Sequence, residues 1–221
     1  MLKLKSISYQ SNDRKILDDI SFEIQKGDLI SIVGESGSGK STLLKVISDL
    51  LELSSGHIEF EGKNYNDYNP IELRKKISYC VQTPVLFGNT VLDNIKFVYD
   101  IRKEEINLNA VIELFERFSL NKDYLNYDIN KLSGGEKQRI ALIRNLIFKP
   151  EILLLDEVTS ALDSVNTKIV ENYIKELNKD GVTILWVTHS DKQSTGIFNK
   201  KITIDKGNLK SIENLNQEVY S

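Results

Sequence analysis

Apolar residues recur along this chain with two different periods, and the switches between them lay out most of the fold. Leu2 and Leu4, then after a slip Ile7 and Tyr9, alternate with polar residues, and Ile20, Phe22 and Ile24 repeat the pattern before a Lys26-Gly27-Asp28 turn. A period of two with one wet face predicts antiparallel strands. Leu29 to Val33 is apolar without a break and runs into Gly34, and after a glycine-rich stretch an apolar helix is expected over Leu43 to Leu51. Gly56 to Gly62 reads as a strand bracketed by glycines, Leu73 to Lys76 as a short basic helix, and Ile77 to Gln82 as a further strand.

From Val85 to Lys131 aromatic residues crowd among helical spacings, and Leu108, Val111, Ile112, Phe115 and Phe118 share one helical face. The aromatics read mostly as core, with Leu86, Phe87, Phe97 and Tyr99 as candidates to line a groove for a partner. A periodic helix follows (Ile140, Leu142, Ile143, Leu146, Ile147) and stops before Pro150, and Ile169, Val170, Tyr173, Ile174 and Leu177 mark another. Ile152 to Leu155 and Val182 to Val187 are unbroken apolar runs, as central parallel strands covered on both faces require. Ile202 to Asp205 and Leu209 to Ile212 flank a Lys206-Gly207-Asn208 turn as a last hairpin, and the polar tail from Glu213 is expected to be loosely held. The pattern predicts one α/β domain over 1–221, with an antiparallel β part. Residues 1–84 and 132–221 form its core, and a helical lobe, 85–131, is inserted.

Composition removes several classes of function. With 221 residues the chain can bury one sizeable core or two small lobes. A net charge of −3 with 28% charged residues gives no basic field to attract nucleic acid. One cysteine, Cys80, excludes an internal disulfide and fits a reducing compartment. No apolar run approaches the roughly 18 residues of a membrane span, and Met1 to Lys5 alternates where a signal peptide would be apolar. A soluble cytosolic chain is expected.

The chemistry gathers at the ends of the apolar strands. Gly34-Glu35-Ser36-Gly37-Ser38-Gly39-Lys40-Ser41-Thr42 contains G-x-x-x-x-G-K-[ST], between a strand and a helix. Such a loop turns successive N–H groups toward phosphate oxygens at the positive end of the helix. Lys40 then supplies a charge to the β/γ-phosphates and the Ser41 hydroxyl a ligand for Mg²⁺. Ser133-Gly134-Gly135-Glu136 opens a second helix with bare N–H groups and a hydroxyl, a second anion-binding end. Asp156 and Glu157 close the apolar strand on the rim expected to carry Gly34; Asp156 suits Mg²⁺, and Glu157 suits polarising an attacking water. Three residues are read in two ways. Tyr9 is a half-buried strand tyrosine or an adenine-stacking ring. Gln82 is a loop glutamine or a metal-facing amide. His189 is a capping residue or a donor to a γ-phosphate.

Taken in order, these motifs resemble the ATP-binding subunit of an ABC transporter over essentially the whole chain. The resemblance implies a P-loop NTPase of the ABC-ATPase fold, with a RecA-like core, an antiparallel β subdomain and an inserted helical subdomain. It matches Tyr9 to the adenine-stacking aromatic, Gln82 to the Q-loop, Ser133 to Glu136 to the signature, Asp163 to the D-loop and His189 to the switch histidine. It further implies Mg·ATP and catalysis by Glu157, Lys40, His189 and Gln82. Two copies would form a head-to-tail dimer in which each signature closes over the other's ATP. A separate integral membrane permease would hold the pair at the cytoplasmic side of the cell's inner membrane. Ser78 to Val91, Ile140 to Leu146 and Leu185 to His189 resemble, more narrowly, the FetA-type ATPases of bacterial iron exporters. Val158 stands where a proline is usual and Glu136 where a glutamine is; neither removes a phosphate or metal ligand. An ABC-type ATPase gating a non-transport membrane complex, or powering transport of another solute, would share the same ATP site.

Overall fold

The computed structural model describes residues 1–188 and 196–215, so His189 lies outside the described residues. The chain forms two compact units. The first takes in Met1–Tyr79, Pro150–Glu157 and the chain from Leu177 onward, and the second Cys80–Lys149 and Val158–Glu176.

In the first unit, β1 (Leu2–Ser11) pairs antiparallel with β2 (Arg14–Ile24), setting Leu2 opposite Ile24, Leu4 opposite Phe22 and Ile7 opposite Ile20. The two apolar alternations therefore meet on one face. Their slip between Leu4 and Ile7 is a register shift at which Ser6 takes a left-handed φ of 49°. β4 (Ser55–Phe60) and β5 (Lys63–Asn64) complete a four-stranded sheet of order β2-β1-β4-β5.

The other sheet has six strands: β3 (Leu29–Val33), β6 (Ile77–Cys80), β7 (Ile152–Asp156), β8 (Thr183–Val187), β9 (Lys200–Asp205) and β10 (Asn208–Asn214). Their order is β10-β9-β3-β8-β7-β6, with β3 parallel to both β8 and β9, β7 parallel to β8, and β10 antiparallel to β9. Every residue of β7 and β8 is buried, as their unbroken apolar sequences require.

Several boundaries differ from the sequence expectation, and those of α1, α2 and the tail have a local reason. α1 spans Lys40–Ile47, starting earlier because Gly39 caps it with φ 104°, and ending earlier where the Ser48 hydroxyl turns back on the Lys45 carbonyl at 3.0 Å. α2 spans Pro70–Lys76, because the Asn69 side chain accepts from the Ile71 N–H and Pro70 occupies the first turn. The tail is held further than its polarity suggests. Glu213 and Asn214 belong to β10, Glu213 pairs with Lys201 at 3.0 Å, and the Leu215 N–H donates to the Asn199 carbonyl at 2.8 Å.

The second unit is helical: α3 (Val91–Arg102), α4 (Leu108–Arg117), α5 (Gly134–Leu146) and most of α6 (Ser164–Lys179). α4 buries Val111, Leu114 and Phe115, whereas Leu108 is 49% exposed and Ile112 only half-buried. The apolar stripe is thus centred nearer Leu114 than the spacing suggests. Tyr99 is core, its ring 5.0 Å from that of Phe148, while Phe87 and Phe97 stay exposed and meet edge-on at 4.6 Å. Buried Asn94 accepts from the Phe87 N–H and donates to the Phe87 and Thr90 carbonyls, and Arg144 of α5 donates to the Val85 carbonyl and to Asn94. Burial pushes the Cys80 thiol up to about 12, against the pull of Arg144. Its thiolate at pH 8 is scarcer than a free cysteine's on the order of a thousandfold. Iodoacetamide should therefore leave Cys80 unlabelled in the native protein and label it on denaturation, as mass spectrometry would show.

Candidate functional site

The phosphate loop leaves β3 at Gly34 with φ 151°, and a Cβ there would stand 2.1 Å from the Ile204 carbonyl oxygen. Only glycine lets the loop turn so close to β9. At Gly39 a Cβ would meet Leu17 Cδ2 at 2.9 Å. The loop is braced from outside by the β9–β10 turn: the Gly207 N–H donates to the Ser38 carbonyl at 3.0 Å, and the Gly207 carbonyl accepts from the Asp18 N–H at 2.8 Å. In sequence this turn reads as a plain hairpin, since nothing local announces the contact.

Lys40 is buried, and its ammonium donates to the Gly34 and Glu35 carbonyls at 2.9 and 2.8 Å. Burial lowers its pKa from the usual lysine value, against the pull of Glu157 and Asp156. Those carboxylates are thus close enough to be felt, and Lys40, Asp156 and Glu157 form one cluster. Ser41 joins it, donating from its Oγ to Asp156 Oδ1 at 2.9 Å. The other oxygen, Oδ2, accepts from the Tyr79 hydroxyl at 2.8 Å, a contact the sequence reading missed. Glu157, just past β7, donates its N–H to the Val187 carbonyl at 3.1 Å and takes a left-handed φ of 49°. That conformation is costly for a side chain with a Cβ, and it turns the chain sharply away from the strand direction. The loop also holds an orphan: among the described residues the buried Ser38 hydroxyl has no hydrogen-bond partner. A cationic side chain, a helix N-terminus and an unsatisfied hydroxyl suit a phosphate, and a hydroxyl with a buried carboxylate suits a hard cation such as Mg²⁺. Tyr9 is half-buried in β1 and packs against the core of the first unit.

In the second unit Gln82 is exposed, two residues past the end of β6. Ser133 caps α5 in a reciprocal box: its Oγ accepts from the Glu136 N–H, and Glu136 Oε2 accepts from the Ser133 N–H and hydroxyl, both at 2.7 Å. Glu136 Oε1 accepts from the Tyr124 hydroxyl at 2.5 Å. The resemblance places Glu136 in the signature; in this structure its carboxylate bonds within the cap. The Tyr124 hydroxyl, then Ser133, holds the Glu136 carboxyl below the usual glutamate range. The cap's stability is complete above that range and is lost only as pH falls through the lowered value. Ser133→Ala should cost about 1 kcal/mol and lower a nucleotide-free melting temperature by roughly 2–4 °C. Asp163 caps α6, accepting from the Asn166 N–H at 2.8 Å, and Arg139 of α5 donates to the Asn166 side chain.

A family model described as ABC transporter matches residues 17–160. The chain therefore belongs to the ABC transporter family as an ATP-binding subunit of the P-loop ABC-ATPase fold, and it is an ATP hydrolase. It is 44% identical over 208 residues to the "Probable iron export ATP-binding protein FetA" of Escherichia coli K12, covering 92% of this chain and 91% of that protein. It is 35% identical to the "Ergothioneine transport ATP-binding protein EgtV" of Helicobacter pylori G27, covering 92% and 97%. Among solved structures, the dimeric post-hydrolysis state of the ATP-binding cassette MJ0796 bound to ADP and Pi superposes with a TM-score of 0.87 at 30% identity, covering 98% and 99%.

Proposed function

We propose that this chain powers a bacterial iron exporter, closing as a head-to-tail dimer over two ATP molecules and reopening when they are hydrolysed. The observation that carries the ATP chemistry is the cluster of Lys40, Ser41, Asp156 and Glu157 at the ends of β3 and β7. Bound Mg²⁺ would be held by Ser41 and Asp156 and would neutralise charge on the β- and γ-phosphates. Lys40 exchanges its two loop carbonyls for phosphate oxygens. Backbone N–H groups from Glu35 to Thr42 cradle the same oxygens, and Tyr9 stacks on the adenine. Glu157 accepts a proton from the water whose oxygen attacks the γ-phosphorus, while the β–γ bridging oxygen leaves with ADP. His189 donates to the γ-phosphate. Ser133, Gly134, Gly135 and Glu136 of the second copy close the pocket, Ser133 giving up its cap hydrogen bond to do so.

A separate integral membrane permease is the partner, and the chain sits against the cytoplasmic face of the inner membrane through it. No helix among the described residues is long and apolar enough to cross a membrane. Iron as cargo is supported by the 44% identical relative named for iron export, against 35% for the ergothioneine relative. The test is to purify the chain with its membrane partner and to measure cell iron with and without the gene. Iron should rise when the gene is lost, and a Glu157→Gln copy should fail to restore it. Unchanged iron would remove the cargo assignment and leave the ATPase standing.

A further inference from the structure

We infer that the Tyr79 hydroxyl is a positioning group for the cation site, fixing the carboxylate plane of Asp156 through the oxygen that Ser41 does not use. The inference rests on the proposed roles of Ser41 and Asp156 and adds a residue that touches neither nucleotide nor cation. Asp156 is 3% exposed at the end of β7, where its side chain would otherwise be free to turn, because the terminal torsion of an aspartate is broad and nearly two-fold. Two hydroxyls prevent this: Ser41 Oγ from α1 at 2.9 Å on Oδ1, and Tyr79 Oη from β6 at 2.8 Å on Oδ2.

The two donors are not equivalent. Ser41 lies in the phosphate loop, and its oxygen is also the proposed cation ligand, so its geometry changes with occupancy. Tyr79 stands on a strand of the same six-stranded sheet and packs against the core of the first unit. It holds Oδ2 in the same place whether or not nucleotide is present, and so presents Oδ1 to the cation. Partners that orient a metal ligand typically contribute tenfold or more to metal affinity. Nothing in the apolar run from Ile77 to Gln82 marks Tyr79 as more than a strand residue.

The test uses Glu157→Gln as parent, so that ATP is retained, with and without Tyr79→Phe. Mn²⁺ is titrated into each protein with ATP present and followed by electron paramagnetic resonance. Tyr79→Phe should raise the half-saturating Mn²⁺ concentration about tenfold, while ATP binding in EDTA stays at the parent's value and the nucleotide-free melting temperature falls by no more than the few degrees that one lost hydrogen bond costs. An unchanged half-saturation overturns the inference, as does a lower melting temperature with no change in Mn²⁺ affinity, which would make the hydrogen bond purely structural. Should Tyr79→Phe fail to fold, Tyr79→Met fills a similar apolar volume and is read the same way. A parent that binds ATP equally well with and without Mn²⁺ would sink the cation site itself, an outcome distinct from failure of the Tyr79 assignment.

Discussion

Glu157→Gln is expected to lower ATP turnover at least about a hundredfold, the lower end of what a positioned general base contributes, while ATP binding survives. The amide keeps the volume and polarity of the side chain but cannot accept the proton released by the attacking water. The backbone is expected to keep its left-handed turn, because the N–H bond to the Val187 carbonyl is untouched by the substitution. Steady-state phosphate release and equilibrium ATP binding, measured on one preparation, separate the two effects. Turnover at the parent rate would take Glu157 out of the mechanism.

Lys40→Ala should produce the opposite split, removing binding itself. Its ammonium is the buried cation at the phosphate loop and is already desolvated, so the site has met part of the cost of holding a charge there. Truncating one member of a buried charge pair typically costs 2–5 kcal/mol, so ATP affinity should fall roughly a hundredfold or more. The fold should persist, because Leu43, Leu44, Val46 and Ile47 anchor α1 in the core independently of Lys40. Calorimetry with ATP, beside a melt of the free protein, checks both statements. An affinity within a few-fold of the parent's would deny Lys40 its phosphate.

The strands and helices were legible wherever one period ran long enough. The alternation of β1 and β2 and the unbroken runs of β7 and β8 were read from residue type alone, because a buried face leaves no choice of residue class. The phosphate loop was equally plain, since its glycines, Lys40 and Ser41 stand at fixed spacing in one segment. What stayed hidden was contact between distant segments. Tyr79 meets Asp156 across 77 positions of sequence and Gly207 meets Ser38 from the far end of the chain, and neither leaves a local trace. Glu136 is a related case. The motif marks its position, but only the Tyr124 hydroxyl, 12 residues away, shows that its carboxylate serves the helix cap. The stripe on α4 drifted because Leu108 stands in its first turn, 49% exposed, where spacing alone cannot tell a frayed end from a core position.

The most direct test weighs Glu157→Gln in solution by sedimentation equilibrium, with saturating Mg·ATP, with Mg·ADP, and with Ser133→Arg added. If each copy's Ser133 end completes its neighbour's pocket, the protein has twice the monomer mass with ATP and the monomer mass with ADP, and the Ser133→Arg form stays single with either nucleotide. A protein that remains single with ATP, or one that still pairs after Ser133→Arg, contradicts the account.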